Sequence, residues 1–225
     1  MADAPVPDLP NGYLGAQPKF KEYGLSVMSH SDPVIRLQGN EVEVKIGYSD
    51  AVKTTASLIK ASTEEESKDY VFTQSKGSVL TYMATLPSEG WWKLQIYALP
   101  AKDPGNQLIG VYNYIIDCPR IIKKAYPFPK QYAQWKDGCY IFEPMVLHKD
   151  VKGPSVRFRL SIPHAKAVAV VADQEWTHLK ESGQKGLWEA TVDLAKYYGK
   201  NTRVTVNANF GEDKTSYSTL LEYRV

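Results

Sequence analysis

Cysteine and histidine are scarce in this chain, and their scarcity excludes several kinds of site. Among 225 residues, Cys118 and Cys139 are the only cysteines, and there are 4 histidines. Two cysteines do not make a disulfide framework, and neither they nor the histidines have the spacing of a zinc site. We interpret both as reduced thiols in half-buried strand positions. A bridge between them, or a redox sensor, is the alternative.

Long apolar runs and an excess of one charge are also missing. No segment approaches the length of a membrane span, and the first residues lack the basic region and apolar core of a secretory signal. The formal net charge is +2, which gives no reason to expect broad attraction to nucleic acids or membranes. We therefore expect a cytoplasmic protein that binds neither nucleic acid nor membrane.

No group of residues has the pattern of a catalytic site. A nucleophilic cysteine needs a helix N-terminus or a nearby histidine, but Cys139 follows a Gly138 turn into a strand. The carboxylates Glu64, Glu65 and Glu66 belong to a solvated turn, which does not suit a tuned acid/base pair. We expect no catalytic residue, no metal and no cofactor.

Aromatic residues and strand-like segments are what the chain has in abundance. Tyrosine occurs 15 times and aromatics make up 12% of the sequence, which favours sheets. Residues 41–48 alternate polar and apolar, so that Val42, Val44 and Ile46 share one buried face. Such segments recur between turns, about seven or eight in roughly a hundred residues, without a sustained helical period. This pattern is typical of an immunoglobulin-like sandwich.

The same pattern occurs twice, which predicts an all-β fold of two tandem immunoglobulin-like antiparallel β-sandwiches. The matched segments are 41–48 with 155–162, 54–61 with 166–172, 92–98 with 202–209, and 108–118 with 215–225. The predicted domains are an extended proline-rich arm (1–20), a first sandwich (21–119), a packed connector (120–142) and a second sandwich (143–225).

The connector contains Tyr126-Pro127-Phe128-Pro129, where the two prolines disfavour a helix. Its aromatics are expected to pack and not to react. We predict that Phe128, Tyr132 and Trp135 are at least partly buried and pack between the two domains.

Several stretches together resemble a known family. They are Asn11-Gly12-Tyr13, the segments 23–30 and 39–48, Pro127-Phe128-Pro129 with Trp135, and 156–225. They are similar to the region that follows the transglutaminase-like core in the kyphoscoliosis peptidase and hillarin family. The Cys-His-Asp arrangement of that core cannot be placed on any position here. The resemblance therefore implies a non-catalytic accessory region, and it implies protein partners of the cytoskeleton.

A protein-interaction or scaffold module is the function that this combination favours. Trp91 and Trp92 are adjacent in one predicted strand, so they must point to opposite faces. One is expected in the core, and the other is a candidate anchor for a partner because tryptophan is enriched in binding hot spots.

Carbohydrate binding is the alternative function. Residues 168–176 and 186–192 are similar to glycogen-binding modules of the early-set sandwich class. That similarity implies a platform of Trp176 and Trp188, with Lys180 and Asn207 or Asn209 as hydrogen-bond donors. Against it, the alternation around Trp188 also allows this ring to face the core.

Overall fold

The computed structural model describes residues 3–136 and 138–225, and its regular secondary structure is almost wholly β-strand. The first nine strands are β1 (Gly15–Ala16), β2 (Leu25–Val27), β3 (Val34–Arg36), β4 (Glu41–Tyr48), β5 (Val52–Lys60), β6 (Val71–Lys76), β7 (Val79–Thr85), β8 (Gly90–Pro100) and β9 (Ile109–Cys118). The other nine are β10 (Lys130–Gln131), β11 (Tyr140–Glu143), β12 (Ser155–Ser161), β13 (Ala167–Ala172), β14 (Glu175–His178), β15 (Lys180–Glu181), β16 (Leu187–Asp193), β17 (Arg203–Asn209) and β18 (Ser218–Arg224).

In the described part of the chain, helical structure is limited to three short segments. They are the helix α1 (Pro18–Glu22) and two single 3₁₀ turns, Lys68–Tyr70 and Ala133–Lys136. Among the described residues, no helix is long and apolar enough to cross a membrane.

The chain divides into two compact units between Tyr126 and Pro127. The predicted connector, 120–142, is therefore shared between them. Its later part pairs with strands of the second unit, since β10 pairs with β18 and β11 with β12. The predicted arm is likewise part of the first unit, because β1 pairs with β9.

In the first unit, two sheets enclose one core. The first sheet has the order β1-β9-β8-β5, with β3 also paired to β9 in parallel, and the second has the order β2-β4-β7-β6. Alternation in β4 buries Val44 and Ile46 completely, and these residues share the core with Leu94 and Ile96 of β8. The alternation predicted for 41–48 thus places its apolar side chains where the second sheet covers them.

The second unit repeats this topology. Its sheets have the orders β10-β18-β17-β13-β14 and β11-β12-β16-β15. The first four strands of each sheet correspond, in order, to the strands of the first unit. The predicted segment matches fall on equivalent strands, which are β4 with β12, β5 with β13, β8 with β17, and β9 with β18. Phe158 and Leu160 of β12 and Val206 of β17 are among its fully buried core residues. The prediction of two tandem immunoglobulin-like sandwiches is confirmed.

One strand of the second unit has no equivalent among the strands described in the first unit. Strand β14 extends the first sheet of the second unit beyond β13, where β5 is the terminal strand in the first unit. After Leu179, the chain continues into β15, which pairs with β16 in the other sheet. Strand β14 is therefore an edge strand peculiar to the second unit.

Candidate functional site

An exposed aromatic cluster lies on the outer face of β14. In the register of β13 and β14, Trp176 lies opposite Val171 and His178 opposite Ala169. The neighbouring residues Val168 and Val170 are fully buried and face the core. Because cross-strand pairs share a face, Trp176 and His178 project from the opposite, outer face. The side chain of Trp176 is 50% exposed, although it is large and apolar.

Tyr217 completes this cluster from a different part of the chain. Its ring centroid lies 5.1 Å from that of Trp176 at an interplanar angle of 76°. The ring of His178 is stacked on Trp176 at 6.1 Å and 29°. Tyr217 precedes β18, which is separated from β14 by two strands, so the loop that carries it reaches across the sheet. Trp176, His178 and Tyr217 are called the Trp176 cluster below.

A closed polar network lies on the same sheet face. Asn207 donates from Nδ2 to Oγ1 of Thr205 at 2.8 Å, and its Oδ1 accepts from Oγ1 of Thr219 at 2.9 Å. Asn207 and Thr205 of β17 lie opposite Ala169 and Val171, so their side chains are on the outer face of the sheet. Both residues are nevertheless buried. The side-chain amide of Asn207 and the hydroxyl groups of Thr205 and Thr219 are therefore already hydrogen-bonded to one another.

The structure separates the residues predicted to form a sugar platform. Trp188 lies opposite Leu160, a core residue, and is itself only 7% exposed. Its ring faces the core because strand alternation puts it on the inner face of its sheet, so it cannot lie beside Trp176. Lys180 belongs to the other sheet. Asn209 is buried and bound to the backbone of its own loop at Asp213.

Trp91 and Trp92 lie on opposite faces, as adjacent strand residues must. Trp92 is 2% exposed, belongs to the core of the first unit and donates from Nε1 to the carbonyl of Ser88. Trp91 is half-buried on the outer face, where the guanidinium of Arg36 lies 5.2 Å from its ring centroid. Because Arg36 already lies against this ring, Trp91 offers less free surface than Trp176.

The three aromatics predicted to pack between domains are buried to different degrees. Phe128 and Tyr132 are half-buried and Trp135 is buried. Tyr132 donates to a carboxylate oxygen of Glu222, and the turn that contains Trp135 contacts β18. Two of these residues thus have contacts within the second unit. Their role between the domains stays a prediction.

A cleft of about 700 Å³ opens at one end of the second sandwich. Its lining mixes both charges, in Asp173, Glu175, Lys196, Tyr197, Lys200, Asn201, Thr202 and Arg203. Lys196 forms an ion pair with Glu175, and hydrogen bonds from Lys196 and Tyr197 lower the pKa of that carboxyl. Glu175 therefore remains ionised at neutral pH, which does not suit a general acid.

Both cysteines are buried, not half-buried as predicted, and no disulfide joins them. The thiol of Cys118 lies 3.6 Å from the carbonyl oxygen of Gly39, and burial raises its pKa. A raised pKa keeps the thiol protonated and poorly nucleophilic. Among the described residues, no group of three or more His, Cys, Asp or Glu could hold a metal ion.

Sequence reasoning found Trp176 but missed the other two members of the cluster. His178 had a usable signal, because residues two apart on a strand share a face. Tyr217 had none, since a loop brings it to β14 from a distant part of the chain.

A known protein is similar to nearly the whole chain. Mouse kyphoscoliosis peptidase is 28% identical over 210 residues, which cover 91% of this chain and 30% of that protein. The chain thus spans less than a third of that relative's length. The resemblance seen in the sequence is confirmed.

Solved tandem immunoglobulin structures are only distantly similar. A chimeric titin Z1Z2 tandem is 13% identical and covers 84% of this chain and 91% of its own, with a TM-score of 0.22. An ICAM-5 ectodomain fragment is 10% identical and covers 89% and 48%, with a TM-score of 0.28. At these TM-scores the structures do not define the fold of this chain, which follows from its own strand pairing. The model of the KY-like, immunoglobulin-like domain matches residues 8–129, more than half of the chain, and the chain therefore belongs to that family.

Proposed function

We propose that this chain is a non-catalytic interaction module that binds protein partners through the Trp176 cluster. The observation that carries the proposal is the half-exposed ring of Trp176, which contacts His178 and Tyr217 and lies on the edge strand β14. A large aromatic that is fixed in place but open on one side can bury much area at small entropic cost. Rigid aromatics of this kind are common anchors in protein interfaces.

The similarity to kyphoscoliosis peptidase supports a proposal about the kind of protein in which this module acts. Since the chain spans only part of the kyphoscoliosis peptidase, we propose that it acts as an accessory region of a transglutaminase-like or peptidase-like protein. Cytoskeletal proteins in the cytoplasm are the partners that the family resemblance favours. This is an analogy at the level of the family.

Binding should depend on Trp176 and not on exposed apolar surface in general. We would purify the tagged full-length chain from cells and quantify the associated proteins for the wild type, Trp176→Ala and Val151→Ala. Val151 is a matched control, because it is 49% exposed in the same unit but lies outside the cluster. We expect a defined set of partners to be lost with Trp176→Ala alone.

The interaction must then be reproduced with pure proteins. For a partner so identified, Trp176→Ala should weaken the measured affinity about tenfold or more, as removal of a hot spot does. Equal affinity of the wild type and Trp176→Ala for every partner would overturn the proposal. Retention on a glycogen affinity gel that is lost with Trp176→Ala would instead support the carbohydrate alternative, which now depends on this one ring.

A further inference from the structure

We infer that the Trp176 cluster accepts a neutral, extended, proline-containing segment of its partner. This inference rests on the proposed function and specifies its ligand. The rings of Trp176 and Tyr217 meet at 76° with centroids 5.1 Å apart, and His178 lies nearly parallel to Trp176. Proline rings are compact and rich in C–H groups, and proline-rich segments dock onto surfaces lined by aromatics.

The charges around the cluster favour a neutral ligand. Glu175, next to Trp176, forms an ion pair with Lys196. In the same sheet, Arg203 of β17 and Arg224 of β18 both pair with Glu222. Because these ions already have partners of opposite charge, a charged segment would have to compete with them and would lose hydration. An uncharged segment avoids that cost.

The polar groups near the cluster favour a peptide over a sugar. A bound sugar needs free donors and acceptors beside the ring for its hydroxyl groups, because unpaired polar groups are costly to bury. The side chains of Asn207, Thr205 and Thr219 already bond to one another, and Trp188 is in the core. A proline-containing segment needs fewer such partners, since proline has no backbone N–H.

The edge position of β14 adds backbone groups that suit an extended chain. Among the described residues, β14 is the last strand of its sheet, and it pairs only with β13. One side of an edge strand carries unpaired N–H and C=O groups. A polyproline II helix has no internal hydrogen bonds and leaves its carbonyl groups free to accept. The rings of the Trp176 cluster can therefore contact the side chains of an extended segment while N–H groups of β14 donate to its carbonyl groups.

The test uses the full chain and a synthetic proline decapeptide. Titration followed by ¹⁵N–¹H NMR should shift the indole signal of Trp176 and the amides of β14. Trp176→Ala should weaken binding about tenfold or more, whereas Trp176→Phe should retain part of it, because a ring remains. The control Val151→Ala should bind as the wild type does. The same spectra report whether each variant is folded.

Other results would overturn this inference. They are the absence of shifts at millimolar peptide, an unchanged affinity in folded Trp176→Ala, or shifts at Trp176 with maltoheptaose but not with the decapeptide. If Trp176→Ala still abolishes binding of a natural protein partner in such a case, the proposed function stands and only the ligand class is wrong. If protein partners are also unaffected, both fail.

Discussion

Glu222 shows how one carboxylate can connect separate segments of the second unit. It accepts hydrogen bonds from Oη of Tyr132 at 2.7 Å and from Nε of Arg203 at 2.8 Å, and it forms an ion pair with Arg224 at 2.9 Å. Burial alone would raise the pKa of this carboxyl, but the hydrogen bonds from Arg203 and Tyr132 outweigh burial and lower it. The partial burial expected for Tyr132 thus has a polar cause as well as an apolar one.

The lowered pKa of Glu222 predicts a dependence of stability on pH. Since the pKa is lower in the folded than in the unfolded state, the ionised carboxylate stabilises the fold above the unfolded value of about 4.3, and this contribution disappears as the pH falls through the folded pKa. We expect Glu222→Gln to lower the urea midpoint at about pH 7, and the difference from the wild type to shrink on acidification toward about pH 3.

The exposed Glu212 provides the matched control for this experiment. Its side chain is 95% exposed, so Glu212→Gln should change the midpoint little at any pH. A difference between Glu222→Gln and the wild type that stays constant from neutral to acidic pH would show that lost packing, and not lost ionisation, explains the change.

At the level of elements, the basic segment 119–124 is an ordered part of the first unit. Asn40 is fully buried and donates from Nδ2 to the carbonyls of Leu86 and Lys123. Its Oδ1 accepts from the backbone N–H groups of Ile122 and Lys123. One amide side chain thus satisfies four backbone groups and holds this segment against the turn before β4.

Replacement of Asn40 should therefore be costly. Asn40→Ala leaves the buried carbonyl of Leu86 without this bond, which costs about 1–3 kcal/mol. The bonds to Ile122 and Lys123 are only part-buried, so water can replace them in part, and we expect a total loss of about 2–4 kcal/mol. Urea unfolding measures the change. Asn106→Ala is the control, because Asn106 is exposed in a loop, and it should cost less than about 0.5 kcal/mol. An equal effect of the two variants would contradict the assigned role of Asn40.

Long alternating strands were predictable, whereas the short helix α1 and the pairing of distant strands were not. Residues 41–48 were expected as a strand and form β4 with the same limits. The helix α1 escaped detection because five residues are too few for a helical period. Pro18 at its start and the buried ring of Phe20 against Tyr112 explain it only once the fold is known. Strand β3 is defined by parallel pairing with distant β9, which local sequence cannot show.

At the level of the whole molecule, repetition of the pattern was the most informative signal. Segments that share a pattern fall on equivalent strands of the two sandwiches. The exposed Trp176 lies on β14, a strand outside this equivalence, which could not be recognised until the pairing of β14 was known. The candidate site was therefore only partly predictable. Alternation shows that a strand has two faces, but only the packed fold shows that Trp176 is on the solvent face and Trp188 on the core face.

Two separate cores predict two separate cooperative units. Leu94 of β8 and Leu160 of β12 are both fully buried, one in each unit. Leu→Ala at such sites costs about 2–5 kcal/mol. In the intact chain, we expect Leu94→Ala to accelerate amide hydrogen exchange up to residue 126 and Leu160→Ala to accelerate it after residue 127, each leaving the other unit unchanged. The exposed-site variant Val151→Ala should change neither. Faster exchange throughout the chain in either leucine variant would show instead that both sandwiches unfold as one unit.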